Sequence, residues 1–390
     1  MPLSTSHVVT FKRTVILTVA VWLAFAASIF AAQAVDDVEP RNTIALLIGV
    51  SEYDNEIGLA DLRGPANDVR LMRDVLTERG VSDIRVLADG VQHDGKPSSL
   101  PTRNAILGAL EQLATDATDG TLVMITMSGH GTQQRDVSGD EADGRDEVFL
   151  PADTARSEPG SGTIPNAIID DELGRAVSAI RRKGADVWLI VDSCHSGSAL
   201  RAGGTRTAAR FVDPSQLGVS LTGQGARPAK DPFVAPNDEN LPGGLMAFYS
   251  AQSDELAREV DFAAEGDAGD ENNWYGLFTS RLAMRLRQGG AVSYGQMFQA
   301  VQQDMRDAKL PGVARLQTPL WEGTMIDATV LGGRGRAVRQ FAVNGDRVAA
   351  GRLHGVLPGT VVALVADAAA DASASIGAAQ VEEAGATTAY

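Results

Sequence analysis

The sequence predicts a three-layer α/β/α sandwich on a mostly parallel sheet, with a small β-rich C-terminal appendage. Three observations carry that expectation. From Thr43 to about Ala328, short apolar runs alternate with amphipathic ones, as parallel strands covered by helices on both faces would. The runs are apolar at nearly every position, as strands buried on two sides require. After about Gly332 the rhythm gives way to short strand-like runs and glycine turns.

The elements follow in order. Residues 43–50 (TIALLIGV) read as a buried strand and 66–79 as an amphipathic helix stopped by Gly80. IRVLAD is a second strand and TRNAILGALEQLATDA a second helix. TLVMITMSGHG is a third strand with its turn, and 171–182 a third helix with Gly184 after it. ADVWLIVDSCHSG is a fourth strand and LMAFYSA a fifth. GLFTSRLAMRLRQGG and SYGQMFQAVQQDMRDA are two further helices, and TPLWEGTM a last strand. Residues 132–165 and 199–243 lack a period and read as long loops, the kind that carry function. The appendage spans 333–390, and its Ala-rich last twenty residues read as frayed.

Composition narrows the function. A net charge of −16 with no basic stripe excludes nucleic acid as a partner. A single cysteine, Cys194, excludes an internal disulfide framework. Lys12 and Arg13 precede an apolar run that ends at Ala32-Gln33-Ala34, a small-x-small cleavage pattern. Residues 1–34 therefore read as a signal peptide of an exported, periplasmic or secreted protein. An uncleaved N-terminal membrane anchor is the alternative. Cleavage would leave 32 basic and 50 acidic residues, a charge of −18, because only Lys12 and Arg13 are lost.

Chemistry concentrates at two strand ends. Ser128-Gly129-His130-Gly131 follows one apolar run and Asp192-Ser193-Cys194-His195-Ser196-Gly197 follows another. In an open parallel sheet, ligands bind beyond the carboxyl ends of the strands. Neighbouring strands would bring His130 and Cys194 together there. A thiol must become a thiolate to attack a carbonyl, and a nearby imidazole promotes this or protonates the leaving amine. Gly129 and Gly131 permit close backbone approach, so the Gly131 amide is a candidate oxyanion donor. A zinc site on His130, Cys194 and His195 would lack the four ligands that structural zinc takes. His195 is assigned no chemistry, and His93 and His354 read as surface residues.

At these residues the chain resembles the caspase-like cysteine peptidases, and most closely the metacaspases. SGHGTQ and DSCHSGS match the two catalytic blocks of that family. ALLIGVSEY, LRGPANDVRLM, YSAQSDELARE and GLFTSRL match its first strand, first helix and small-subunit region. The resemblance covers roughly 43–328. It implies a caspase-like fold and peptide-bond hydrolysis by a Cys194–His130 dyad, with no cofactor in the chemistry. Asp68, Ser128 and Asp192 match the positions of a basic-residue pocket, which implies cleavage after Arg or Lys. For Asp68, a first-turn acid favoured by the helix dipole is the other reading. Pro65 stands where some relatives carry a second cysteine.

Asp146, Asp170 and Asp171 match acidic positions of an activating calcium site in some metacaspases. Arg201 falls about where the family has a further Asp, so that ligand set is incomplete. The other reading of Asp170-Asp171-Glu172 is a helix N-cap and first turn. Two further functions stay open: an Asp-specific caspase-like peptidase, and a caspase-fold scaffolding or interaction module with little turnover. Protein or peptide substrates are the expected partners, and the sequence does not set the oligomeric state. In 199–243, Arg201, Arg206, Arg210, Arg227 and Lys230 sit in what reads as an exposed loop open to self-cleavage.

Overall fold

The computed structural model describes residues 41–139, 141, 143–194, 206–221, 240–253, 255–262, 271–289, 292–308, 317–332, 341–352, 356–367 and 374–390. The leader, His195, Arg201, Arg227, Lys230 and His354 lie outside them.

Six strands form the central sheet: β1 (Thr43–Gly49), β2 (Asp83–Ala88), β3 (Leu122–Ser128), β7 (Asp186–Asp192), β9 (Leu245–Tyr249) and β12 (Leu320–Gly323). Their order is β12-β9-β7-β3-β1-β2. All neighbours are parallel except β12, which pairs antiparallel with β9 at one edge. Alternate residues of the central strands feed two separate cores. Leu46, Ile125 and Leu189 pack with α2 (Arg103–Asp116) and α3 (Asp170–Arg181). Leu47, Met124 and Trp188 pack with α1 (Pro65–Glu78), α4 (Leu277–Gln288) and α5 (Tyr294–Asp307). With both faces covered, no strand position can be polar without a partner, and the runs read as continuously apolar.

Helix starts follow local chemistry. Pro65 opens α1, where its missing N–H is no loss. Thr102 and Ser293 cap α2 and α5, accepting from the amides of Ala105 at 3.3 Å and Gln296 at 3.1 Å.

Four departures from the sequence reading concern regions without a period. Residues 132–165 are not one loop: β4 (Gly131–Arg135) and β5 (Arg145–Phe149) pair antiparallel, and Ile168–Ile169 (β6) adds to β5. The 199–243 stretch carries β8 (Thr207–Ala209), which pairs with β10 (Arg258–Asp261); β10 pairs in turn with β11 (Trp274–Gly276). Neither Asp170 nor Asp171 caps α3. Ile169 holds that position, and Glu172 reaches back to its amide at 3.3 Å. The tail is strand-bearing almost to its end: β13 (Val343–Asn344) pairs with β14 (Arg347–Val348), and β15 (Val361–Leu364) with β16 (Gly377–Gln380). Val348, Val356, Val381 and Ala389 give it a small core.

Candidate active site

Hydrogen-bond register places the two motifs. Ser128 of β3 is paired with Asp192 of β7 and with Gly49 of β1. His130 and Cys194 each lie two residues beyond that pair, so both turns leave the sheet at the same level. Among the described residues, no hydrogen bond joins the Cys194 thiol to the His130 ring; each is held by other groups.

The imidazole has a fixed tautomer. Its Nε2 donates to the Ala60 carbonyl at 2.9 Å, and a carbonyl can only accept. Nδ1 is therefore the basic atom, and it is buried without a partner among the described residues. Tyr53 stacks on the ring at 5.1 Å between centroids. Its hydroxyl accepts from the His130 amide at 3.0 Å and donates to the Leu150 carbonyl at 3.3 Å. Burial pushes the imidazole down to about 4, against an opposing pull from the main chains of Ala60 and Arg210.

The thiol is enclosed by Ala257, whose amide donates to Sγ at 2.7 Å and whose carbonyl accepts from it at 3.3 Å. Burial pushes it up to about 12, so in this arrangement both partners are neutral at pH 7. The Arg258 guanidinium is also lowered, first by burial, while the nearby thiol acts in the opposite sense.

Asp68 and Asp192 come together around Arg210. That side chain is fully buried, contrary to the expectation of an exposed loop. Its guanidinium contacts Asp68 Oδ2 at 2.6 Å, Asp192 Oδ2 at 3.1 Å and the Asp192 carbonyl at 3.1 Å; Glu259 Oε2 lies at 3.9 Å. Burial raises Asp68 to about 6, with Arg210 pulling the other way. Thr279 fixes Asp192 Oδ2 through its amide at 3.2 Å and hydroxyl at 2.7 Å. The Gly276 amide fixes Asp68 Oδ1 at 2.9 Å. A Cβ on Gly276 would come within 2.2 Å of Asp192 Oδ2, and one on Gly64 within 2.7 Å of the guanidinium. Both glycines are there for space. Ser128 is buried beside Asp192, but its side chain makes no hydrogen bond to Arg210.

The main chain of Arg210 completes the picture. Its carbonyl accepts from the amides of Gly131 at 3.1 Å and Cys194 at 3.3 Å, and its amide donates to the Ala257 carbonyl at 3.0 Å. The amides of Gly131 and Cys194 thus meet on one carbonyl oxygen.

Asp146 and Asp171 lie near enough to Asp170 to act on its carboxyl, but the calcium candidates are held by separate partners. Gln134 donates to Asp146 at 3.2 Å, and Asp171 faces Arg175 at 3.6 Å on the helix surface. Asp170 and Glu147 are each raised to about 8, first by burial and then by other carboxylates around them. Among the described residues, no three His, Cys, Asp or Glu side chains are placed to hold a metal ion.

Sequence reasoning missed Tyr53, Ala60, Ala257, Glu259, Gly276 and Thr279. Only Glu259 carried a signal, an acid inside the strand-length run Arg258–Asp261.

Residues 44–202 match the family model for the metacaspase, peptidase C14 domain. Metacaspase-1A of Aspergillus fumigatus is 38% identical over 159 residues, 40% of this chain and 35% of that protein. Metacaspase-1 of Ajellomyces capsulatus is 37% identical over the same length, 40% of this chain and 41% of that protein. The chain thus spans about a third to two fifths of the curated relatives it matches. Among solved structures, a Geobacter sulfurreducens protein is 21% identical with a TM-score of 0.48, covering 72% of this chain and 93% of its own. Caspase-1 from Spodoptera frugiperda is 13% identical with a TM-score of 0.45, covering 77% and 93%. Over residues 44–202 the chain is therefore similar to the metacaspase peptidase C14 domain.

Proposed function

We propose that the protein is a cysteine endopeptidase that hydrolyses peptide bonds after Arg or Lys. The observation that carries this reading is the pairing of one cationic side chain with Asp68 and Asp192 directly beside the Cys194 turn. A pocket that selected Asp would present cations there instead. Cys194 is the nucleophile, His130 Nδ1 the base, and the amides of Gly131 and Cys194 the oxyanion donors. A scaffolding role would need neither the fixed tautomer nor the two converging amides.

Activity should appear against Arg or Lys peptides and vanish in Cys194→Ala, which leaves the fold intact by circular dichroism. His130→Ala should cost several orders of magnitude, and the double variant should be little worse, since dyad members act as a unit. Substantial turnover by Cys194→Ala would sink the mechanism.

Calcium enters the proposal only as an activator acting on the acidic side around Asp146, Asp170 and Asp171. The buried, uncompensated Asp170 supports it, although the ligands would have to move to converge; no chemical step passes through the ion. Export rests on the leader sequence, and N-terminal sequencing of secreted material would test cleavage after Ala34.

A further inference from the structure

We infer that Tyr53 is a positioning residue for the base: its hydroxyl wedges open the β4–β5 ladder at His130 and so sets where the imidazole stands. This rests on the peptidase reading above and goes beyond it by naming the residue and the loop that hold the histidine.

The wedge shows in the register. Gly131 lies opposite Phe149, so His130 lies opposite Leu150. The Leu150 amide donates to the His130 carbonyl at 3.0 Å. In an antiparallel ladder, residues paired in this way exchange both bonds directly. Here the return bond runs through Tyr53: the His130 amide donates to the hydroxyl at 3.0 Å, and the hydroxyl donates to the Leu150 carbonyl at 3.3 Å. Burial raises the hydroxyl far above its ordinary value, so it keeps the proton that this relay needs. The histidine main chain is thereby spaced away from its strand partner by one oxygen atom. The imidazole hangs from that displaced main chain and rests against the tyrosine ring.

The wedge is itself fixed. Tyr53 and Ala60, whose carbonyl accepts from His130 Nε2, belong to one loop, residues 51–62. The loop closes on itself: the Tyr53 amide donates to the Asp61 carboxylate at 3.0 Å, and the Leu62 amide to the Ser51 carbonyl at 2.9 Å. Its root is tied to Asp89, one residue beyond β2, which accepts from the amides of Ser51 at 3.0 Å and Glu52 at 2.7 Å. Ile57 and Leu59 bury its middle in the core. One loop thus grips the histidine at its main chain and at Nε2, and Nδ1 stays uncommitted among the described residues. A tyrosine serving the core alone would need only some partner for its hydroxyl. It would not need to interrupt a ladder at the one residue that carries the base.

The test uses the full chain. Tyr53→Phe keeps the ring and removes only the wedge, so the direct bond between His130 and Leu150 can close and the fold survives. The imidazole then moves. A reacting group misplaced by about 1 Å costs on the order of a hundredfold in rate. Tyr53→Phe should therefore lose about a hundredfold in kcat on an Arg peptide, with KM nearly unchanged.

The ring nitrogens of His130 report the cause directly. With isotope-labelled histidine at neutral pH, their NMR signals are assigned by their loss in His130→Ala. Wild type should show the Nε2–H tautomer alone, and Tyr53→Phe a mixture of tautomers. Asp61→Ala, an exposed change that loosens the loop without entering the core, should act in the same direction and more weakly. If Tyr53→Phe misfolds, Asp61→Ala decides by the same two readouts. Turnover by Tyr53→Phe within about threefold of wild type would overturn the inference and leave the peptidase standing. So would a change in KM alone, or a loss of kcat with the ring signals unmoved. No hydrolysis of any Arg or Lys substrate by wild type would overturn the peptidase reading, and the ring signals would still decide whether Tyr53 places His130.

Discussion

Two groups of buried carboxylates flank the carboxyl edge of the sheet, and they are settled in opposite ways. Asp68, Asp192 and Glu259 surround a buried guanidinium and are further tied to the amides of Gly276, Thr279, Arg63 and Gly64. Among the described residues Asp170 and Glu147 have no such cation, and both carboxyls are raised to about 8 by burial and neighbouring carboxylates. Burial alone therefore does not say what an acid is for. The first group is charged around a cation already in place, while the second takes up its charge only above about pH 8.

The sharpest way to break this contrast is to remove a charge from the paired group. Asp192→Asn should lower kcat/KM for Arg peptides by about a hundredfold or more, since truncating one partner of a buried charged pair costs roughly 2–5 kcal/mol. Wild-type preference for Asp before the cut bond would show that the pocket is misassigned.

Filling the space comes next. Gly276→Ala places a methyl against Asp192 and the guanidinium seat. Overpacking of this kind costs about 1–3 kcal/mol. Steady-state kinetics should show at least a tenfold loss, mostly in KM, with Cys194 still alkylated by iodoacetamide in the processed enzyme.

The unpaired group should reveal itself through pH. Asp170 ionises at about 8 when folded against an ordinary 3.8. Between those values the folded chain keeps a proton that the unfolded chain has released. The stabilisation is complete below the ordinary carboxylate range and fades as pH rises through 8. Melting of Cys194→Ala should therefore fall by a few degrees between pH 5 and 8.5, and Asp170→Asn should flatten that slope. Calcium at pH 8 should raise the melting temperature only while Asp170 is present. Full peptidase activity in excess chelator would remove calcium as an activator.

The smallest effect belongs to Asp171→Ala. It loses only an exposed helix-surface pair with Arg175, about 0.5 kcal/mol or less. A larger loss confined to calcium-treated enzyme would assign Asp171 to the ion.

How much of this could be read from the sequence follows from the range of each contact. β3 and β7 were legible because apolar runs stop abruptly at Ser128 and Asp192, and register then carries His130 and Cys194 to one level. The groups that hold His130 and Cys194 are remote: Tyr53 lies 77 residues from His130, and Ala257 lies 63 from Cys194. No local pattern marks them. Arg258–Asp261 is a buried strand with three charged residues in four, and it is absent from the strands the sequence predicts because its burial depends on partners from elsewhere. Arg210 misled for the same reason: its surroundings in sequence are those of a surface loop, and even the nearest in sequence of the three acids around its guanidinium, Asp192, is eighteen residues away along the chain.

That tether has a kinetic meaning. A ligand attached to its own site competes as though present at about millimolar concentration when the connection is short. A free cationic peptide would have to outcompete that local supply to sit between Asp68 and Asp192, so the acidic seat is filled from within the chain whenever Arg210 stays in place.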